Sequence, residues 1–163
     1  LLIVVVFSCA EMFGDVLVLL LSGNGKEERV REATASLPHY HVLAYLSAME
    51  DAYAVADLVV CRSGAGTVAE LSALGLPGFF VPLPIGNGEQ EFNASDVVKA
   101  GGAELVRDKE FTSQVFSSRV LPLLEDADKL ATMGRAARGV SPVDAAERLA
   151  ALIFEAGAGG RRK

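Results

Sequence analysis

Cysteine is nearly absent from the 163 residues: only Cys9 and Cys61 occur, far apart and in apolar surroundings. Two such thiols cannot supply a disulfide framework or a cysteine-rich zinc site. They read as reduced, buried thiols of a cytosolic protein. Positive charge is also short, since 15 Lys and Arg stand against 21 Asp and Glu, a formal net charge of −6. Nucleic acid is therefore not expected as a partner, because phosphate backbones recruit basic surfaces. No apolar run approaches the ~20 residues that span a bilayer; "LLIVVVF" and "DVLVLLL" are strand-length. The first residue is Leu, and no positive segment or cleavage site follows, so the start does not read as a signal peptide. The chain is expected to begin inside a longer gene product. No G-x-S-x-G occurs, and His39 and His41 have no third ligand beside them, so no metal and no serine-hydrolase elbow is expected.

What is present is an ordinary apolar core composition, with 51% hydrophobic and 22% charged residues. Chains of this length suit one domain and bury roughly 70% of their unfolded surface. Strand-like and helix-like segments alternate. Expected strands are 1–6, 15–21, 40–45, 57–61, 78–83 and 103–106; the first two and "DLVVC" are continuous apolar runs, as in strands buried on both faces of a parallel sheet. Between them the expected helices are 27–35, 47–56 (opened by a Ser47/Glu50 capping box), a helix from the "SGAGT" turn to Gly75, and one from about 91 to 100. From Phe111 onward the pattern is helical, and "GAGGRRK" (157–163) reads as a flexible basic tail. The expected fold class is α/β, a Rossmann-like doubly wound parallel sheet over residues 1–156.

In such sheets ligands meet the carboxyl ends of strands, where helices begin. Two segments lie there. "CRSGAGTVAEL" (61–71) sets Ser63, Gly64, Ala65, Gly66 and Thr67 at the end of a strand and places Glu70 in the expected first helical turn. Small residues and free N–H groups at a helix start suit an anion such as a phosphate. Equally, Thr67-x-x-Glu70 matches a capping box, with the glycines serving only tight strand–helix packing. "PLPIGNGEQEFNA" (82–94) offers Asn87, Glu89, Gln90 and Asn93 at the next strand end, a set suited to a ligand rich in hydroxyls. Its alternative is a solvated Asn/Gly turn.

"ADLVVCRSGAGTVAELSALGLPGFFVPLPIGNGEQEFNA", extended upstream through "HVLAYLSAMEDAY" and downstream through "VVKAGGAELV", resembles the C-terminal half of the MurG family. Its "GNGEQ" loop is similar to relatives from high-GC Gram-positive bacteria. The resemblance implies the donor-binding half of a GT-B glycosyltransferase, an inverting, metal-independent hexosyltransferase. It would move N-acetylglucosamine from UDP-N-acetylglucosamine to the lipid-linked muramyl-pentapeptide acceptor (lipid I) to make lipid II in peptidoglycan synthesis. It implies no cofactor. For the full-length protein it implies a cytoplasmic location, peripheral on the cytoplasmic face of the membrane.

Residue by residue, Leu46 matches the position whose backbone pairs with the uracil edge, and Glu70 the carboxylate that holds the ribose hydroxyls. Ala65, Gly66 and Thr67 match the helix start near the diphosphate and sugar, with Gly66 in place of a larger apolar residue. Gln90 matches one of two glutamines that contact the sugar, and Glu89 stands where the other occurs. Arg62, Ser63 and Asn93 complete the donor-site set. No catalytic residue is expected in this chain, because the acceptor site, membrane-docking surface and general base belong to an N-terminal half that the sequence lacks. It also lacks the G-G-S-x-G phosphate loop that follows the first strand in the family; "LLIVVVFSCAEMFGD" offers at most Ser8 instead. The chain alone is expected to be inactive. Two alternatives stay open: a non-catalytic UDP-sugar-binding subunit that needs a separate partner, and another UDP-sugar enzyme of this fold, such as a 2-epimerase.

Overall fold

The computed structural model describes residues 3–9, 15–141 and 144–159. Six strands form one sheet: β1 (Ile3–Cys9), β2 (Asp15–Leu21), β3 (Tyr40–Leu43), β4 (Leu58–Cys61), β5 (Gly78–Phe80) and β6 (Ala103–Leu105), in the order β3-β2-β1-β4-β5-β6. This is the strand order of a doubly wound sheet. Helices α1 (Glu27–Thr34), α2 (Met49–Val55), α3 (Ala65–Leu74) and α4 (Glu89–Lys99) join the strands from β2 onward. Short helical segments α5 (Ser113–Val115) and α6 (Leu121–Leu124) flank a π turn at Phe116–Val120, and α7 (Ala127–Arg138) and α8 (Ala145–Gly159) follow. Thr112 caps the first of them, its hydroxyl accepting from the Val115 N–H at 3.2 Å.

The α/β class and doubly wound sheet agree with the sequence reading, but the sheet is not wholly parallel: one strand is reversed. β1 runs antiparallel to both neighbours, Ile3 opposite Leu21 and Cys9 opposite Asp15 on one side, Val5 opposite Val59 on the other. The other five strands share one direction. Chain length explains the reversal. A parallel return needs a crossover of a dozen or more residues, and only 10–14 separate these two strands. A continuous apolar run reads the same in either direction, so the sequence could not show it. Ser8, offered above as a substitute for the phosphate loop, pairs with Val16 at the start of β2. It therefore sits at the edge opposite the one where the parallel strands end.

The core forms on both faces of the sheet. β4 is buried throughout; Leu58 and Val60 join Phe79, Val81, Val120 and Met133 on one face, while Val59 and Cys61 join Phe80, Leu71, Val97 and Ala137 on the other. Burial pushes the Cys61 thiol up to about 12, leaving it neutral at working pH. Phe80 sets a close approach: a Cβ on Gly78 would come within 2.8 Å of its ring. α3 ends as expected at Gly75, whose φ of +67° suits glycine, with the Leu76 N–H donating back to Leu71 O at 2.9 Å and Pro77 following.

A right-handed crossover from β1 to β2 would lie on the face that α1 covers. There the sheet carries a cavity of about 450 Å³ lined by Val18, Leu20, Tyr40, Val60, Phe111 and Phe116 among others. α8 keeps Leu149, Leu152, Ile153 and Phe154 exposed. It also continues through Gly157 to Gly159, where the sequence reading placed a flexible tail; its Ala-rich run carries helical propensity past the first glycine. Residues 160–163 lie outside the described ones.

Candidate functional site

The parallel strands end along one edge, with Leu21 beside Leu43 and with Cys61, Phe80 and Leu105 in register. Every site residue named from the sequence follows one of these ends. Leu46 lies half-buried between β3 and α2, next to Tyr45, which is 73% exposed. Arg62 to Glu70 follow β4, and Glu89, Gln90 and Asn93 follow β5.

Arg62 ties strand ends together. Its Nη1 donates to the carbonyls of Val81 and Pro82, each at 3.0 Å, and pairs closely with Asp108 beyond β6. Sequence reasoning missed Asp108, because nothing in the pattern links it to an arginine 46 positions earlier. Ser63 is fully buried, and its Oγ has no hydrogen-bond partner among the described residues. Its carbonyl accepts from Asn93 Nδ2 at 3.2 Å, which fixes the β4–α3 turn to α4.

The helix start that follows is open. Gly64 is the N-cap of α3 and no side chain caps it. The Thr67/Glu70 capping box is thus not formed, because the helix begins at Ala65 and Thr67 falls inside it rather than at its cap. For the same reason Glu70 lies in the second turn, not the first. The other capping box is also absent: α2 begins at Met49 behind Ala48, one residue too late for Ser47 to cap it. A Cβ on Gly64 or Gly66 would meet nothing within 4 Å, and neither glycine has a positive φ. These glycines therefore serve neither tight packing nor an unusual backbone. Ala65 and Gly66 are exposed and Thr67 is half-buried, so the first N–H groups of a ten-residue helix face open space.

α4 begins at Glu89, two residues earlier than expected, behind Gly88 with φ +81°. Glu89 turns back on its own loop, Oε2 accepting from the Asn87 N–H at 3.2 Å. Gln90 Oε1 accepts from the Leu83 N–H at 2.9 Å, which orients the amide and leaves its NH₂ group as the donor end. Asn93 lies one helical turn on.

Glu70 is exposed on α3, and its Oε2 accepts from the Tyr53 hydroxyl on α2 at 3.2 Å. Burial, then the Glu70 charge, pushes the Tyr53 pKa well above its ordinary value. Tyr53 escaped the sequence reading because "AMEDAYAVA" shows only a helix. Both side chains line a cleft of about 720 Å³ between α2 and α3, with Met49, Glu50, Leu74 and Leu76.

An uncapped helix start after a central strand, flanked by polar groups from the next loop, is an arrangement suited to an anionic ligand such as a nucleotide's phosphates. Residues 2–149 match the glycosyltransferase family 28 C-terminal domain. The chain belongs to this family. It is 53% identical, over 74% of its length, to the UDP-N-acetylglucosamine--N-acetylmuramyl-(pentapeptide) pyrophosphoryl-undecaprenol N-acetylglucosamine transferase of Nocardioides sp., of which it covers 33%. It is 43% identical, over 91% of its length, to the enzyme of the same name from Bifidobacterium longum, covering 42%. The crystal structure of Acinetobacter baumannii MurG superposes with a TM-score of 0.76 at 30% identity, over 82% of this chain and 41% of that one. The glycosyltransferase VinC shares the fold at 15% identity, TM-score 0.59, over 78% of this chain and 31% of that one. This glycosyltransferase family 28 domain thus spans about a third to two-fifths of the curated relatives it matches. Among its described residues, no helix is long and apolar enough to cross a membrane.

Proposed function

We propose that this domain binds UDP-N-acetylglucosamine as the donor half of an N-acetylglucosaminyltransferase that glycosylates the lipid-linked muramyl-pentapeptide acceptor. The observation that carries this reading is the start of α3, where no side chain caps the helix and Gly64 and Gly66 open onto space rather than onto a neighbour. Backbone N–H groups and the positive end of the helix there attract the diphosphate and stabilise UDP as it departs. Glu70 accepts from the ribose hydroxyls, the backbone at Leu46 pairs with the uracil edge, and the Gln90 NH₂ donates to the sugar. Arg62, Ser63 and Asn93 act by fixing the turn that presents Ala65, Gly66 and Thr67.

The acceptor hydroxyl would attack the anomeric carbon as the bond to UDP breaks, with inversion. The acceptor cleft and general base are assigned to an N-terminal part supplied with this domain in the whole protein. The test is a calorimetric titration with uridine, UMP, UDP and UDP-N-acetylglucosamine. Affinity rising stepwise from uridine to the nucleotide-sugar supports the reading; equal affinity for uridine and UDP removes the diphosphate from the α3 terminus. A transfer assay with the lipid-linked acceptor should show no product from this chain alone.

A further inference from the structure

We propose that Tyr53 is a positioning residue of the donor site, holding the Glu70 carboxylate in the orientation that reads the ribose. This rests on the donor-site reading above and adds a residue that sequence patterns do not reveal. The Tyr53 ring packs against the core cluster of Phe80, Leu71 and Val68, so its direction is set by the interior. Its hydroxyl donates to Glu70 Oε2 at 3.2 Å. Glu70 is exposed on α3, and this is a bond its side chain makes across to another helix. An exposed glutamate otherwise samples several rotamers, and binding would have to select one. The tyrosine makes that selection beforehand.

The division of the carboxylate also fits. Two oxygens offer about four acceptor positions. One is taken by Tyr53, leaving Oε1 whole for the hydroxyl pair of a ribose. Because burial and the neighbouring carboxylate both favour the protonated phenol, Tyr53 remains a donor through neutral and mildly alkaline pH.

The experiment compares UDP with 2′-deoxy-UDP, titrated calorimetrically against the wild-type chain, Tyr53→Phe, Glu70→Ala and the double variant. The wild type should prefer UDP, and Glu70→Ala should abolish that preference. Tyr53→Phe should cut it by about three- to tenfold while leaving 2′-deoxy-UDP affinity and Tm nearly unchanged. The double variant should match Glu70→Ala alone. Parallel loss for both nucleotides in Tyr53→Phe would make the tyrosine merely structural and overturn the proposal, as would an unchanged ratio. A wild type that prefers UDP, with a preference indifferent to Glu70→Ala, would instead sink the assignment of Glu70 and the proposal with it. A wild type that binds neither nucleotide would sink the donor-site reading itself.

Discussion

β4 and β5 each deliver the chain to the ligand edge and then start a helix there, whereas β1 meets that edge with its first residue and leaves it. The two halves of the sheet therefore contribute unequally. On the β4–β6 side, each turn is held by a bond from elsewhere: Asn93 to Ser63, Gln90 to Leu83, Arg62 to Val81, Pro82 and Asp108. On the β1–β2 side, no strand end among the described residues supplies a helix start next to β4, and the face beneath carries the 450 Å³ cavity. Under the proposed donor reading, sugar, ribose and one end of the diphosphate fall to the intact half. The same reading leaves no second set of phosphate donors, because a crossover too short to return in parallel turns the end of β1 away.

The largest effect should come from repairing the weaker half. Replacing residues 10–14 with a G-G-S-x-G loop and a helix, about a dozen residues or more in all, would let β1 run parallel and end at the ligand edge. Each hydrogen bond to a charged phosphate contributes about 1.5–3 kcal/mol, so UDP affinity should rise roughly tenfold or more. Uridine affinity should not change. Calorimetry with the two ligands checks this, and an equal gain for both would show that the repair stabilised the fold rather than restored phosphate donors.

Next in size is removal of a charge from the intact half. Glu70→Ala should lower UDP affinity by about tenfold or more, since a bond to a carboxylate is lost. Tm should barely move, because Glu70 is exposed and caps nothing. A marked fall in Tm with UDP affinity intact would return Glu70 to a purely structural role.

How much of this was legible in the sequence depended on whether the cause was local. β2 has the bounds expected from its apolar run, and α3 stops at Gly75 because a left-handed residue followed by Leu-Pro is a strong local stop. Helix starts were less legible. Both S/T-x-x-E patterns are present, yet neither box forms, since α2 starts one residue after and α3 three residues before the place the pattern would put it. The direction of β1, the Arg62–Asp108 pair and the Tyr53–Glu70 bond all depend on what the chain meets in space, and periodicity carries no such information. The glycines of the "SGAGT" turn needed coordinates as well: packing and openness call for the same residue.

Those glycines give a middle-sized test of the same contrast. Gly66→Ala should fold normally and gain up to ~1 kcal/mol from helix propensity, because its Cβ would meet nothing. Gly78→Ala should lose about 1–3 kcal/mol. Its Cβ would press on the ring of Phe80, which is 1% exposed and has no room to yield. Urea unfolding of the two variants measures the difference. If both were destabilised alike, the start of α3 would be a packed junction and not an open one.

The smallest effect is expected at Gln90, where one side chain does two things. Its Oε1 holds the Leu83 N–H, and its NH₂ is the group assigned to the sugar. Gln90→Ala removes both functions, so a loss of binding there would be ambiguous. Gln90→Glu keeps an acceptor for Leu83 while deleting the donor. In that variant UDP affinity should stay near the wild-type value, because the nucleotide is held by other residues. The preference for UDP-N-acetylglucosamine over UDP should fall by about two- to tenfold, the range of one ordinary hydrogen bond of 0.5–1.5 kcal/mol. Competition titrations of the two ligands read this ratio directly. If Gln90→Glu weakens both ligands together, the loop after β5 shapes the site without touching the sugar. If it changes neither while Gln90→Ala weakens both, the bond to Leu83 is the whole of its role.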